Sequence, residues 1–345
     1  MNNTNKGELT MNKLTKIGVS ALCGSLAGIS AANAGDLSAS GGADLTWISL
    51  DDAVTGAPIG MGSNFTLSGS GELDNGWNVS LSIAMTNANA YSNTNVTVGI
   101  PGLGDIRIDQ GTSGTGIDRY DDASPTVWEE ADGAGLAAGI DKVSGGSAGP
   151  TIEVTPSDMV PAGLTARFAW TPDADAGATI GDKSSGGSSG VAASGWDIVL
   201  EAGSDLHGMD GLTVYGGMSE VEQFVNSSAY SGDREETVIG FKYAMGGFTV
   251  GYQITDEETG QTATTGYENT SYGITFSVND DLSIGYAHIE SDESGQGKVS
   301  PEADSFQAAY TMGGATFRIA EVDVDNSAYA AGSSEATVIS LGLAF

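Results

Sequence analysis

The stretch that decides the fold is a hairpin at residues 271–287, which reads SYGITFSVNDDLSIGYA. Apolar or aromatic residues occupy every second position of its two arms, and small or polar residues lie between them. The apolar face consists of Tyr272, Ile274, Phe276, Val278, Leu282, Ile284 and Tyr286. A period of two is typical of a β-strand with one apolar face, and the Asn-Asp-Asp sequence between the arms has the chemistry of a tight turn. The stretch therefore predicts two antiparallel strands.

The same alternation recurs along most of the chain and predicts sixteen strands in all. They lie near residues 37–50, 63–73, 77–88, 93–101, 104–110, 150–156, 163–172, 195–204, 212–224, 235–245, 247–257, 267–279, 281–292, 302–312, 315–326 and 335–345. Short turns such as Asp74-Asn75-Gly76 and Gly313-Gly314 alternate with long polar loops. Regular alternation of short and long connections indicates a repeated hairpin unit, and an even number of strands is typical of single-chain bacterial barrels.

The first 34 residues have the pattern of a secretory signal peptide. Lys13 and Lys16 precede an apolar stretch at residues 17–29, and Ala32-Asn33-Ala34 has the form of a cleavage site. We therefore expect residues 1–34 to be removed and the mature domain to span residues 35–345. The chain's one cysteine, Cys23, lies in the signal peptide, so the mature domain is predicted to have neither a disulfide nor a thiolate metal site.

The charge of the chain is strongly acidic, with 12 basic and 45 acidic residues and a net charge of −33. Removal of residues 1–34 takes away three lysines and one glutamate, which leaves 9 basic and 44 acidic residues. Nucleic-acid binding requires a positively charged surface, so this class of function is excluded. Net charge describes solubility and partners rather than fold, and the simplest interpretation of the acidity is a solvated surface.

Alternating strands could form either a soluble sandwich or a membrane barrel, and three features favour the barrel. The face opposite the apolar one is too small and polar to pack as a core, sixteen strands would enclose an aqueous channel, and aromatic residues gather near strand ends. Closure would also remove the unpaired strand edges that lipid cannot hydrogen-bond. After Ala34 no run approaches eighteen consecutive apolar residues, so no transmembrane helix is predicted.

The last predicted strand is the local sequence feature that indicates the type of barrel most specifically. Ile339, Leu341, Leu343 and the terminal Phe345 alternate with small residues. Here the sequence resembles the outer-membrane porins, whose last strand ends in an aromatic residue that the barrel-assembly machinery recognises. Together with the signal peptide and the repeated hairpins, the resemblance covers the mature chain, and it is nearest to the sixteen-stranded trimeric porins of alphaproteobacteria.

This resemblance implies an all-β fold, a closed antiparallel transmembrane β-barrel with short periplasmic turns and long extracellular loops. It also implies a homotrimer in the outer membrane of a Gram-negative bacterium, surrounded by lipid and lipopolysaccharide. The expected function is passive diffusion of small hydrophilic solutes and ions, with no required cofactor. We expect no enzyme activity, because the sequence has no HExxH, CxxC or nucleophile-elbow motif around its two histidines, His207 and His288.

In the family, the third extracellular loop folds into the barrel and makes its narrowest section. The longest gap between early strands, residues 111–149, lies in the corresponding place and is the candidate constriction loop. Its predicted pore-lining residues are Asp118, Asp121, Asp122, Glu129, Glu130 and Asp132. A loop of this length is usually functional or disordered, and the alternative is an exposed loop with no role in the pore.

Alternation places four basic side chains on the predicted lumen face: Arg107, Arg167, Lys242 and Arg318. We expect some of them to oppose the loop carboxylates and create a transverse field, by the same logic as the charged rings of ion channels. The alternative for each is a lumenal charge far from the constriction. Because carboxylates greatly outnumber basic residues, we expect the pore to prefer cations.

The sequence leaves alternatives for a Ca²⁺ site, for the acidic end of one strand and for the function. The acidic pairs Asp121-Asp122 and Glu129-Glu130 are candidate Ca²⁺ ligands, although chance clustering is common in so acidic a chain. Beyond Ile319, the acids at positions 321, 323 and 325 are in phase with the lipid-facing residues, so either a bulge shifts the register or, as we favour, the strand has left the membrane. The main alternative function is a secreted acidic β-rich adhesin or surface-layer protein, with a soluble sandwich or a Ca²⁺-bound solenoid.

Overall fold

The structure is a computed structural model that describes residues 34–51, 56–87, 90–111, 114–147, 149–175, 191–223, 229–294 and 298–344. It contains sixteen strands: β1 (Ala34–Leu50), β2 (Ile59–Glu72), β3 (Asn78–Thr86), β4 (Ala90–Ile100), β5 (Gly104–Asp109), β6 (Thr151–Pro156), β7 (Leu164–Thr171), β8 (Ala192–Ala202), β9 (Leu212–Gln223), β10 (Arg234–Met245), β11 (Phe248–Glu258), β12 (Gly266–Ser277), β13 (Leu282–Glu293), β14 (Glu302–Met312), β15 (Ala315–Asp325) and β16 (Ser333–Ala344). Every predicted strand is confirmed. The largest difference at a strand end is at the start of β2, which was predicted at residue 63 and begins at Ile59.

The sheet is closed, because each strand pairs antiparallel with the next and the first pairs with the last. In the closing pair, Leu45 lies opposite Leu341 and Trp47 opposite Ile339. The side-chain alternation fixes this register, since a slip by one residue would turn every apolar side chain toward the lumen. The predicted all-β antiparallel barrel is confirmed, and an open sandwich or a solenoid does not fit this topology.

Short turns join the strands at one end of the barrel. Gly76, Gly246 and Gly313 have φ angles of +80°, +61° and +62°, a conformation that glycine adopts without strain, and they lie in turns predicted from sequence. The described helices are α1 (Ser204–His207) and two single turns of 3-10 helix, Gly116–Tyr120 and Ser327–Tyr329. In the described ranges, no helix is long and apolar enough to cross a membrane.

The two faces of the barrel wall differ in polarity as the alternation predicts. Large apolar side chains on the outer face are exposed, among them Met61 at 71%, Ile239 at 63% and Phe306 at 64%. Burying these side chains in lipid, away from water, would stabilise the barrel by about 25 cal/mol for each Å² of apolar area. The predicted signal peptide and the terminal Phe345 lie outside the described residues.

The acidic end of β15 continues the strand without a bulge. Its pairs with β14 and β16 run unbroken from Ala315 to Asp325, so Glu321, Asp323 and Asp325 do point outward. Between them Val322 and Val324 point inward, and each is 2% exposed. The bulge proposed as one explanation is therefore excluded. The remaining explanation, that this part of the strand lies beyond the lipid, stays a prediction.

Candidate functional site

The connection between β5 and β6, residues 110–150, lies inside the barrel; we call it the inner loop. Its 3-10 helix packs against β7–β10. The loop then reaches β16, where Gly135 approaches Val338, and returns to β7, where Gly146 approaches Thr171. The inner loop therefore runs along much of the inner wall and narrows the lumen.

The first arm of the inner loop is held by carboxylates on the wall. Arg119 Nη2 forms an ion pair with Glu153 Oε1 of β6 at 2.8 Å, and the Gly116 N–H donates to Glu153 Oε2 at 2.8 Å. The Tyr120 hydroxyl donates to Glu201 Oε2 of β8 at 3.0 Å. Hydrogen bonds to charged groups contribute more than neutral ones, so this arm is firmly anchored.

The middle of the loop is held by amide side chains. Gln253 Nε2 of β11 donates to the Tyr120 carbonyl at 2.7 Å. Further along, Gln307 Oε1 of β14 accepts the Trp128 N–H at 2.8 Å, and Gln307 Nε2 donates to the Glu129 carbonyl at 2.7 Å. A glutamine amide can both donate and accept, so one side chain satisfies two backbone groups of a segment that forms no regular structure.

The returning arm is anchored by a buried glutamate on β10. Glu236 is 2% exposed and accepts the N–H groups of Ser144, at 3.0 Å, and Gly145, at 2.6 Å. Arg234 Nη2 donates to the Gly145 carbonyl. A buried carboxylate is costly unless its oxygens are hydrogen-bonded, and here the loop backbone supplies the donors.

Two apolar clusters lie between the inner loop and the wall. One joins Ala131, Ala134 and Ala138 of the loop to Ala287, Ile289, Ala303, Ala320, Val322 and Val324 of β13–β15. The other joins Ile117, Tyr120, Ala123 and Val143 of the loop to Val199, Tyr215 and Val238 of β8–β10. At these inward-facing positions the loop packs apolar side chains against the wall, whereas at other covered positions, such as Glu236, Gln253 and Gln307, buried polar side chains bind the loop backbone.

Two of the predicted pore-lining acids are buried within the loop. Asp118 is 8% exposed and accepts hydrogen bonds from the Gly114 N–H and the Ser147 hydroxyl, and burial raises its pKa. Asp132 is 9% exposed and accepts from Lys142 Nζ at 3.1 Å. Both acids stabilise the fold of the loop, and their contribution to the pore lining stays a prediction.

The other four predicted acids are less buried. Asp122 and Glu129 are exposed, and Asp121 and Glu130 are half-buried. Lys142 Nζ lies 3.9 Å from Glu130, so one ammonium group serves several carboxylates. Burial raises the pKa of Asp121 to about 7, and the neighbouring carboxyl of Asp122 adds to this increase. Asp122 and Glu129 are the most exposed of the six acids, and for Glu129 partial burial and the neighbouring carboxyl of Glu130 raise the pKa.

The four predicted basic residues are distributed around the wall, and the structure brings two of them into contact with the loop. Arg107 of β5 donates to the Gly114 carbonyl at 3.1 Å and pairs with Asp109. Arg318 of β15 pairs with Asp44 at 2.7 Å and lies 5.8 Å from the centre of the Trp128 ring.

The other two basic residues have different surroundings. Arg167 of β7 lies near Tyr120 in the loop, where its charge lowers the pKa of the tyrosine against the larger effect of burial. Lys242 of β10 lies opposite Thr213 and Gly251, and within the described part of the chain its ammonium group has no ion-pair partner. The predicted transverse field across the constriction stays a prediction.

The lumen face of β2–β4, which we call the free wall, differs from the wall beneath the loop. None of the described residues of these three strands is buried. Its inward-facing side chains are Asn64, Thr66, Ser68, Ser70, Glu72, Asn78, Ser80, Ser82, Ala84, Thr86, Asn93, Asn95 and Thr97. The sequence has no lysine or arginine between Lys16 and Arg107, so the free wall carries no basic group.

Sequence reasoning did not identify the residues that hold the loop. They include Glu153, Glu201, Arg234, Glu236, Gln253, Asn269, Ser271 and Gln307. One signal was available, because the inward positions of β15 change from polar to valine where the outward positions become acidic. Within the described residues, no group of three or more acidic, histidine or cysteine side chains is arranged to hold a metal ion, and the Ca²⁺ site stays a prediction.

Comparison with known proteins places this barrel among characterised folds. A sequence model of the Gram-negative porin family matches residues 18–345. A search of curated proteins by sequence found no match.

Several solved structures share the fold. OmpF of Salmonella typhi, in complex with daunomycin, is 12% identical with a TM-score of 0.68, and the match covers 90% of this chain and 98% of that one. An anion-selective porin from Comamonas acidovorans is 12% identical with a TM-score of 0.60, over 90% and 99% of the two chains. A variant of the Rh. blastica porin is 14% identical with a TM-score of 0.56, over 90% and 100%. At these identities the likeness shows the fold alone.

Proposed function

The chain belongs to the Gram-negative porin family of outer-membrane channels, and on this premise we propose that it is a diffusion pore for small hydrophilic solutes that prefers cations. One observation supports this preference above the others. The carboxylates of Asp122 and Glu129 are exposed, and the free wall, on which no described residue is buried, has hydroxyl and amide groups and the carboxyl of Glu72 but no basic residue. A cation between the two sides is attracted by one and not repelled by the other.

The basic residues do not cancel this field. Arg119 is paired with Glu153, Lys142 with Asp132, and Arg318 with Asp44, so most of the positive charge near the loop is already balanced by carboxylates. Paired charges act only at short range, because the Coulomb energies of two opposite charges a few ångströms apart nearly cancel for an ion that is further away. Arg167 and Lys242 form no ion pair in the described part of the chain, but these two cations are outnumbered by the loop carboxylates Asp121, Asp122, Glu129 and Glu130, so the net charge is negative.

The test is the reversal potential of loop variants, measured in a planar bilayer with a salt gradient. Replacing Asp122 with Asn and Glu129 with Gln removes both exposed charges at nearly constant volume, and the cation preference should fall. Asp121→Asn together with Asp122→Asn should also reduce it. The matched control is Asp323→Asn, which removes an exposed charge from the outer face of β15. Unchanged reversal potentials in the loop variants would remove the loop from the mechanism.

The assembly of the pore is a further part of the proposal. We propose that the chain forms a homotrimer, as related porins typically do, surrounded by outer-membrane lipid and lipopolysaccharide. The terminal strand carries the assembly signal, with Leu341 and Leu343 on its outer face and Phe345 at its end. Deleting Phe345 should lower the amount of heat-modifiable trimer recovered from outer membranes, and full recovery would contradict that role.

A further inference from the structure

The segment Pro125–Val127 of the inner loop crosses three strands at glycines. A Cβ atom at Gly251 of β11 would lie 2.5 Å from Pro125 Cδ, and one at Gly273 of β12 would lie 2.1 Å from the Pro125 carbonyl oxygen. At Gly285 of β13 it would lie 2.7 Å from Val127 Cγ2. Non-bonded carbon atoms prefer separations of about 3.5–4.0 Å, so any side chain at these positions would displace the loop.

The backbone does not explain these glycines. The described glycines with positive φ do not include Gly251, Gly273 or Gly285, so their strand conformation is open to any L residue. Gly251 and Gly273 are direct neighbours across β11 and β12, and Gly285 lies one strand further on. Their common feature is that the loop lies directly on them, which is the use of glycine where two backbones approach closely.

This segment also connects the two groups of exposed acids. Asp122 precedes Pro125 by three residues, and Glu129 follows Val127 by two. We propose that Gly251, Gly273 and Gly285 are positioning residues, which set the width of the constriction by letting the loop backbone lie flat against the wall. The proposal rests on the proposed function, because it treats the inner loop as the narrowest part of the pore.

A side chain introduced at one of these glycines should displace the loop into the lumen rather than detach it from the wall. On one side Gln253 holds the Tyr120 carbonyl, and on the other Gln307 holds the backbone of Trp128 and Glu129. The Ser124 hydroxyl also donates to Ser271 of β12 at 2.7 Å. With both flanks fixed, the segment between them can relieve a clash only by bowing away from the wall.

The experiment is single-channel conductance in a planar bilayer, which reports only on folded, inserted pores. Gly285→Ala should lower the conductance by roughly a fifth, because pore diameter limits ion flow. The double variant Gly285→Ala with Val127→Ala removes the methyl group nearest to the new Cβ. It should restore most of the loss, because the next atoms, the Ile274 carbonyl oxygen at 3.0 Å and Thr275 Cγ2 at 3.2 Å, belong to the wall and need only a small shift that leaves the loop in place. The control is Gly62→Ala on the free wall, where a Cβ would meet its nearest atom at an ordinary 3.8 Å and where conductance should hardly change.

Gly251→Ala provides a second, independent variant, since its Cβ meets the ring of Pro125 and Pro125→Ala should relieve the contact. Equal conductance in Gly285→Ala, Gly251→Ala and Gly62→Ala would overturn the proposal, as would a loss that neither loop substitution restores. A conductance loss that is restored, combined with unchanged reversal potentials in the Asp122 and Glu129 variants, would instead sustain the positioning role and contradict the proposed cation preference.

Discussion

The free wall and the wall beneath the inner loop are built from the same kind of strand, but the inward-facing side chains of the first are exposed and many of those of the second are buried. On the free wall, residues such as Thr66, Ser82 and Thr97 are polar, small and partly exposed. Beneath the loop, Val199 and Val322 are buried against loop side chains. Beneath the loop, the buried polar side chains, such as Glu236 and Gln307, bind the loop backbone instead of water. The two walls thus show where the channel is open and where it is filled.

The acidic end of β15 belongs to the same comparison. From Glu321 onward its outward residues are acidic and its inward residues are valines. The alternation of the strand continues, but the apolar face is now the inner one. On the inside the loop replaces water, which explains Val322 and Val324. On the outside, acids directly opposite other acids, such as Asp323 opposite Asp304, repel one another in lipid more strongly than in water. A strand whose inward residues are apolar and whose outward residues are acidic therefore indicates a stretch where the loop covers the inner face and the outer face lies beyond the lipid.

The largest effect is expected from removing the anchor of the returning arm. Glu236→Ala leaves the N–H groups of Ser144 and Gly145 without an acceptor, and an unsatisfied buried donor costs about 1–3 kcal/mol. The arm should detach from β10, so that trypsin cleaves the folded protein after Lys142 and the single-channel current becomes noisier. Glu236→Gln keeps one acceptor and should remain largely protected. Full protease resistance of the alanine variant would show that the wall does not hold the loop here.

A smaller effect is expected from adding a charge to the free wall. Ser82→Arg would place a guanidinium opposite the loop carboxylates, on a strand that has no basic residue. At about 8 Å in water a unit charge changes the energy of an ion by about 0.5 kcal/mol, with opposite signs for cations and anions, so the permeability ratio should fall roughly fivefold. Ser82→Gln adds comparable length without charge and serves as the control. A fivefold fall in both variants would show that bulk rather than charge determines the ratio.

The smallest effect is expected from pH. Because the pKa of Asp121 is raised to about 7, its carboxyl gains a proton as the pH falls through neutrality and loses its negative charge. Cation preference should therefore be highest above this pKa and decline between about pH 8 and pH 6, by roughly twofold or less. The reversal potential of Asp121→Asn should lack this step. A step of equal size in the variant would assign the titration to another group.

Most of the fold was predictable because its signals are local. Alternation and turn residues predicted all sixteen strands, including the short β5 and β6; β9 and β15 begin at the predicted residues 212 and 315, and β11 and β13 begin one residue after the predicted start. The resemblance to outer-membrane porins, drawn from the signal peptide, the hairpins and the last strand, is confirmed by the family match. Each of these features depends on neighbours in sequence or on one partner strand.

The position of the inner loop could be predicted from the length of the gap between strands, but the contacts of the loop could not. An irregular segment has no period, so nothing in the sequence separates Asp118, which turns into the loop, from Asp122, which is exposed. Its anchors come from strands as distant in sequence as β6 and β14, and any lumen-facing Glu or Gln was an equal candidate. The glycines beneath Pro125 were likewise indistinguishable from the many others in the chain.

The most direct test of the whole account compares two thiol reagents of equal size, one cationic and one anionic, at a single cysteine introduced by Ser82→Cys. The chain's own cysteine, Cys23, lies in the predicted signal peptide, so the mature protein offers no other target. Both water-soluble reagents should react, the cationic one faster than the anionic one, and labelling should lower the conductance. No reaction would show that the free wall is dry, and a faster anionic reagent would contradict the negative field of the inner loop.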